Sequence, residues 1–238
     1  TGSELDRLHA FAQSDTLYVG VCGNMYTGLS ERVLCVFIDC SRALGTNVMP
    51  AITAGSPAKL QNLEGLTFDP DFTPDKAILF SVGAWYDYWV DFYELDRNVN
   101  TWWSDKTEWH SIFDPFQRAY VLVSNELAGI AAFNNLNTAA NPADAVRGFE
   151  CMLGYEVLYN GIPPSLHEDT VRLQTVLFNF ETGYLANQSL PGINGNSAGY
   201  GAAATVNFAA VPGNQFIEVD APVIPETGAI SAIIISVY

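Results

Sequence analysis

All five tryptophans of the chain lie between positions 85 and 109, and residues 85–93 read WYDYWVDFY. In a strand, alternate residues face opposite sides. Trp85, Asp87, Trp89, Asp91 and Tyr93 would therefore share one face, and Tyr86, Tyr88, Val90 and Phe92 the other. The even set is the natural core face. The odd set would then show flat rings between carboxylates, a combination that recognises sugars. Rings cover the apolar C–H faces of a sugar, and carboxylates accept from its hydroxyls. The pattern equally fits a strand covered by protein on both faces, or a subunit interface, where Trp and Tyr are enriched.

A second group is Asp69, Asp71 and Asp75, in the stretch FDPDFTPD stiffened by Pro70 and Pro74. Oxygen-rich loops suit Ca²⁺, and such an ion would be structural. The glycine and final glutamate of an EF-hand are missing, and a solvated turn fits the same residues. Catalytic patterns are thinner. His9, His110 and His167 are scattered, with neither HExxH nor GxSxG in the chain. Glu94, Glu108, Glu150 and Glu156 are available for paired-carboxylate chemistry, but nothing in their spacing marks them. The expectation is a protein without catalytic residues.

Cys22, Cys35, Cys40 and Cys151 show no CxxC spacing and no Cys/His cluster suited to zinc. Strand parity suggests a pairing. If 17–22 (LYVGVC) and 33–40 (VLCVFIDC) form a hairpin, Val19, Val21, Val36 and Ile38 share an apolar face, and Cys22 lies opposite Cys35. Cys40 then points inward like Cys151, giving the disulfides Cys22–Cys35 and Cys40–Cys151. Four reduced thiols behaving as small hydrophobes are the alternative.

These groups sit in a chain of 238 residues with 10 basic and 26 acidic side chains, a net charge of −16. So negative a surface repels phosphate backbones and anionic membrane surfaces, which argues against nucleic-acid or membrane partners. No run approaches the roughly 18 to 20 apolar residues of a membrane span. The chain opens without a basic, apolar leader, so any export signal is expected to have been removed. Abundant Asn, Gly, Thr and aromatics, with only three lysines, suit strands joined by turns. Strands are predicted at 16–22, 33–39, 77–83, 85–95, 118–124, 127–133, 147–158, 170–180, 203–209, 214–219 and 229–237. A short helix is predicted near 56–62, with Ser56 as its cap, and another turn at 141–142. Without βαβ alternation, this is an all-β, antiparallel two-sheet sandwich of jelly-roll kind with one or two short helices. Residues 1–220 make the sandwich, and 221–238 make a C-terminal connector and strand.

Several stretches resemble a family of exported bacterial proteins often sorted by a PEP-CTERM tag. The opening GSELDRLHAFAQSDTLYVGVCGNM, Phe37-Ile38-Asp39, GLTFDPDF at 65–72, FNNLNTA at 133–139, YLANQSLPG at 184–192 and GNQFIEV at 213–219 carry the resemblance. The opening is also similar, more weakly, to the DOMON and family 9 carbohydrate-binding sandwiches. The resemblance implies an exported β-sandwich, extracellular or at the cell surface, and no catalytic residues. YLANQSLPG contains the sequon Asn187-Gln188-Ser189, which reads as a glycan acceptor or as a structural turn.

The last stretch, GAISAIIISVY at 228–238, is uncharged. Strand-prone residues such as Ile230, Ile233, Ile234, Ile235 and Val237 must pair with something, because an exposed apolar edge aggregates. They return to their own sandwich or insert into a neighbouring copy. A head-to-tail insertion does not close and builds a filament. The leading expectation is a structural protein that polymerises with itself into an extracellular fibre or layer. The alternative is a carbohydrate-binding module for extracellular polysaccharide, using Trp85, Asp87, Trp89 and Asp91.

Overall fold

The computed structural model describes residues 3–25, 31–42, 44–51, 58–82, 88–95, 99–100, 119–123, 129–134, 145–159, 162, 164–192 and 201–223. They form two antiparallel sheets. The first runs in the order β1 (Glu4–Gln13), β2 (Thr16–Asn24), β9 (Gly148–Gly154), β8 (Gly129–Asn134), β7 (Ala119–Val123). The second runs β12 (Gly201–Ala202), β11 (Tyr184–Leu190), β10 (His167–Asn179), β3 (Arg32–Ser41), β4 (Lys76–Val82), β5 (Tyr88–Glu94), β6 (Val99–Asn100). A short β13 (Ile217–Asp220) pairs with β10 through Thr170↔Asp220 to Leu173↔Ile217. Two helices of one turn, α1 (Ala58–Gln61) and α2 (Tyr155–Leu158), complete the regular elements, with three 3₁₀ turns. Among the described residues the path is a series of meanders joined by crossings between sheets.

The predicted hairpin of 17–22 with 33–40 is corrected: β2 pairs with β1 and β9, whereas β3 pairs with β10 and β4 in the other sheet. The parity behind it still holds. Val19, Val21, Val36 and Ile38 do share one core, but they reach it from opposite sheets. Phe149 and Leu153 of β9, Ile78 and Phe80 of β4, and Val171, Leu173 and Leu177 of β10 fill the same core. Phe80 stacks on Phe149 at 4.7 Å across it.

The second sheet carries another core on its outer face. Val33, Cys35 and Phe37 of β3, Leu79 of β4, Tyr93 of β5 and Phe178 of β10 pack there. Against them lie Leu60, Leu63, Leu66, Phe68, Phe72, Val206, Phe208 and Phe216, from segments that are mostly irregular. Burying a phenylalanine fully contributes about 1.5–3 kcal/mol, so the edge-on chain Phe37–Phe68–Phe72 anchors this third layer to the sheet. That double burial explains β3, which is buried at every position from Val33 to Ser41. Strands covered on both faces read as continuous apolar runs.

Other local expectations shift. Residues 155–158, predicted as the end of a strand, form α2 instead, and 203–210 holds two 3₁₀ turns where a strand was predicted. The sequon lies within β11, with Ser189 buried, and is not a turn. The proposed connector starts on the sandwich: Ala221 N–H donates to Asp169 O at 3.0 Å, and Val223 N–H to Ser14 O at 2.8 Å.

Candidate functional site

The polar residues that the fold gathers lie where β3 ends and β4 begins. Ile38↔Lys76 is the last pair of that ladder, and Asp75 N–H still donates to Ile38 O at 3.0 Å. This holds the Asp75 carboxylate over the end of β3. Its Oδ2 accepts the Cys40 backbone N–H at 3.3 Å, and its Oδ1 accepts the Cys40 thiol at 3.1 Å. The Ser41 side chain lies alongside it. Gly45 makes the loop above it feasible. At φ +85°, a Cβ there would meet the carbonyl oxygen of Thr73 at 2.3 Å.

Asp39, one residue earlier, faces the other side of the sheet. Its Oδ2 accepts Thr73 N–H at 3.0 Å and lies 3.6 Å from Arg172 Nη1. Arg172 in turn pairs with Glu218 at 2.9 Å and lies over the Phe216 ring. Asp39 is 1% exposed, and its Oδ1 is buried with no hydrogen-bond partner. Burial pushes its carboxyl up to about 7, and the neighbouring Asp75 charge adds to this. The Thr73 N–H and Arg172 pull the other way. Burial also raises Asp75.

Over Cys40 sits an aromatic group from α2 and the chain after it. Tyr159 stacks on His167 at 4.0 Å, and Tyr155 lies 4.7 Å from Tyr159. His167 Nε2 is 2.9 Å from Ile162 O, which can only accept, so that nitrogen carries a proton. Nδ1, 2.9 Å from the Tyr155 hydroxyl, then accepts from it when the ring holds a single proton. Burial holds the Tyr159 phenol well above its ordinary value. Beside this group, Lys76 and Glu94 form a fully buried ion pair at 3.9 Å.

A thiol, an imidazole and two carboxylates invite a nucleophilic reading, and the geometry argues against it. The Cys40 thiol bonds to Asp75 and approaches Leu158 O at 3.7 Å, while His167 is engaged by Tyr155 and Ile162. Burial and the Asp75 charge raise the thiol well above 9. The nucleophile in cysteine chemistry is the thiolate. What the cluster can do is bind and release a proton at Asp39 near neutral pH.

The residues predicted from sequence are distributed differently. Asp91 and Tyr93 are buried, 2% and 1% exposed, because the irregular third layer covers the face expected to show them to sugar. Asp91 meets Lys59 of α1 at 3.5 Å, and Lys59 also pairs with Glu31 at 3.0 Å. Trp89 belongs to β5 opposite Ser81, whereas Trp85 and Asp87 lie outside the described residues. The even residues Val90 and Phe92 face the inter-sheet core as expected.

The three aspartates of the calcium reading do not meet. Asp69 Oδ1 accepts Asp71 N–H at 3.1 Å within a turn, Asp71 is exposed, and Asp75 is committed to Cys40. Among the described residues no three His, Cys, Asp or Glu side chains converge as a metal site would require.

All four cysteines are unpaired thiols. Cys22 is half-buried on β2, Cys35 lies in the outer core of the other sheet, and Cys40 and Cys151 lie in the inter-sheet core. The predicted Cys22–Cys35 bridge fails because its two strands are in different sheets. Cys40, which does face inward like Cys151, is held by Asp75. Burial raises Cys151 to about 12 and Cys35 well above 9. The assembly residues Ile230, Ile233, Ile234, Ile235 and Val237 lie outside the described residues.

Sequence reading passed over Asp39, Lys76, Glu94, Tyr159, His167 and Arg172 as a group, since they meet only in space. One local signal was available. Asp39 interrupts the apolar run from Val33 to Cys40, and a carboxylate inside such a run has to be accommodated by partners. Comparison of the chain with protein-family models, with curated proteins and with solved structures finds no match.

Proposed function

We propose that this protein is an exported structural subunit that assembles with copies of itself into an extracellular fibre or layer, and that residues 228–238 are the connecting strand. The observation that carries the reading is the bond from Val223 N–H to Ser14 O at 2.8 Å. It fixes the point from which the connector 224–227 and the uncharged run GAISAIIISVY continue, at the turn between β1 and β2. A strand-prone apolar run starting at the rim of a sheet favours strand addition. The neutral, engaged thiol of Cys40 also weighs against a catalytic role for the polar cluster. Export enters through the resemblance to secreted sandwiches. The carbohydrate reading loses support because Asp91 and Tyr93 are buried.

Negative-stain electron microscopy of the purified protein at neutral pH tests the proposal. Filaments or sheets that vanish when 226–238 is deleted are the expected result. Separate particles about 4 to 5 nm across, the size of one compact chain of this length, would overturn it. So would polymers that survive the deletion.

A further inference from the structure

An apolar strand that joins copies needs an acceptor edge of matching length. Among the described residues the two sheets end in five strands, β1 and β7 in one, β12, β6 and the four-residue β13 in the other. β6 and β12 have two residues each, and β7 has five. β1 has ten. The run 229–237 spans nine residues, about 30 Å of strand, and among the described residues β1 is the terminal strand long enough to pair with it throughout.

The state of β1 fits this role. It pairs with β2 from Glu4↔Asn24 to Gln13↔Thr16, and no strand pairs with its other side among the described residues. Near its start, Leu5 N–H donates to the Gln188 side chain at 2.7 Å. None of its residues is fully buried, and Phe11, stacked on Tyr18 at 4.7 Å, is 55% exposed. Exposed edges are commonly blunted by being short or charged. From His9 to Gln13 this edge carries His-Ala-Phe-Ala-Gln, with no acidic or basic residue other than the histidine.

We infer that the outer edge of β1 is the acceptor for residues 229–237 of a second copy of this chain. This rests on the assembly reading above and adds the surface that receives the strand. It also limits the geometry. Counting from Val223, five residues (224–228) and so six Cα–Cα steps separate the anchored residue from the run, a reach of roughly 20–22 Å when extended. The donor's β1–β2 turn must therefore lie within that distance of the start of the pairing on the acceptor, so successive copies are in direct contact.

The test uses the full-length chain with the photo-crosslinker benzoylphenylalanine in place of exposed Phe11 and, in a second variant, of exposed His9. Each is mixed in denaturant with unmodified ¹⁵N-labelled protein, refolded together and irradiated, and the linked peptides are identified by mass. Links from the unlabelled β1 peptide to a ¹⁵N-labelled peptide within 229–237 are expected, in proportion to the mixing ratio. Links only to the unlabelled tail would show pairing within one chain and overturn the inference. Filaments on the grid without any β1–tail link would overturn β1 as acceptor while leaving assembly standing. If the unmodified chain forms no filaments and no links between copies appear, assembly and acceptor fall together.

Discussion

The thiol of Cys40 and the carboxylate of Asp75 form a closed two-point contact: Sγ donates to Oδ1 at 3.1 Å, and the backbone N–H of the same cysteine donates to Oδ2 at 3.3 Å. Asp75 precedes β4 and Cys40 lies near the end of β3, so this contact ties the last turn of the β3–β4 ladder. The two partners differ in what each leaves behind when removed. Asp75→Ala strands a buried N–H and a thiol and should cost about 3 kcal/mol, whereas Cys40→Ala leaves the N–H satisfied and should cost about 1–2 kcal/mol. Urea unfolding midpoints of the two variants check the order, and equal losses would contradict it.

Asp39 makes stability depend on pH in a defined direction. Its carboxyl moves from 3.8 in the unfolded chain to about 7 in the fold, so the native state holds the proton more tightly. Its contribution is complete below about pH 4 and is lost as the pH rises through 7. Asp75 is raised as well and acts with the same sign. The charged groups that shape the response are Asp75, Arg172 and Glu168. Chemical denaturation between pH 4 and pH 8 should show stability falling across the range, and Asp39→Asn should flatten that slope.

The thiols should separate by labelling. Cys22 is half-buried, and Cys35, Cys40 and Cys151 are buried. Alkylation of the native protein followed by intact-mass measurement should add label slowly at Cys22 alone, since burial raises its thiol too. In denaturant without reductant, all four should react. A pair that resists labelling until reductant is added would reveal a disulfide and contradict the free-thiol arrangement.

The buried pair Lys76–Glu94 should be costly to break and cheap to replace. Glu94→Gln takes one carboxylate away from a buried ammonium and should cost about 3–5 kcal/mol, while the double change Lys76→Met with Glu94→Leu should lie within about 1 kcal/mol of the parent. Thermal unfolding of the three proteins distinguishes this from a pair that contributes mainly at the surface.

Much of the sheet framework was legible because it is carried by apolar runs between turn residues. β2, β3, β4, β7, β8 and β10 fall close to where composition and alternation put them, and α1 lies inside the predicted 56–62. β1 was not legible. ELDRLHAFAQ has helix-prone residues and a register shift between Leu5 and Arg7 that breaks its alternation, and pairing with β2 overrides both. The second core was not legible either, since its outer wall is made of segments without period. That hidden wall is why Asp91 and Tyr93 looked free to meet a ligand. Even the sound inference that Val19 and Ile38 face one core led to the wrong neighbours, because parity fixes a face and not a sheet.

The burial of β3 on both sides has one more consequence. In a sheet with one wet face, a slip of one residue throws apolar side chains into water, and that penalty keeps the strands aligned. From Val33 to Ile38, β3 has no wet face to lose, so oil against water says little about where it should sit. Asp39 supplies what hydrophobicity does not. Moved one place along, its carboxylate would leave Thr73 and Arg172 and turn toward the inter-sheet core that Ile38 and Cys40 line. The acid near the end of the strand works as an alignment key, and the sheet covered on both faces takes its position from a buried carboxylate on its central strand.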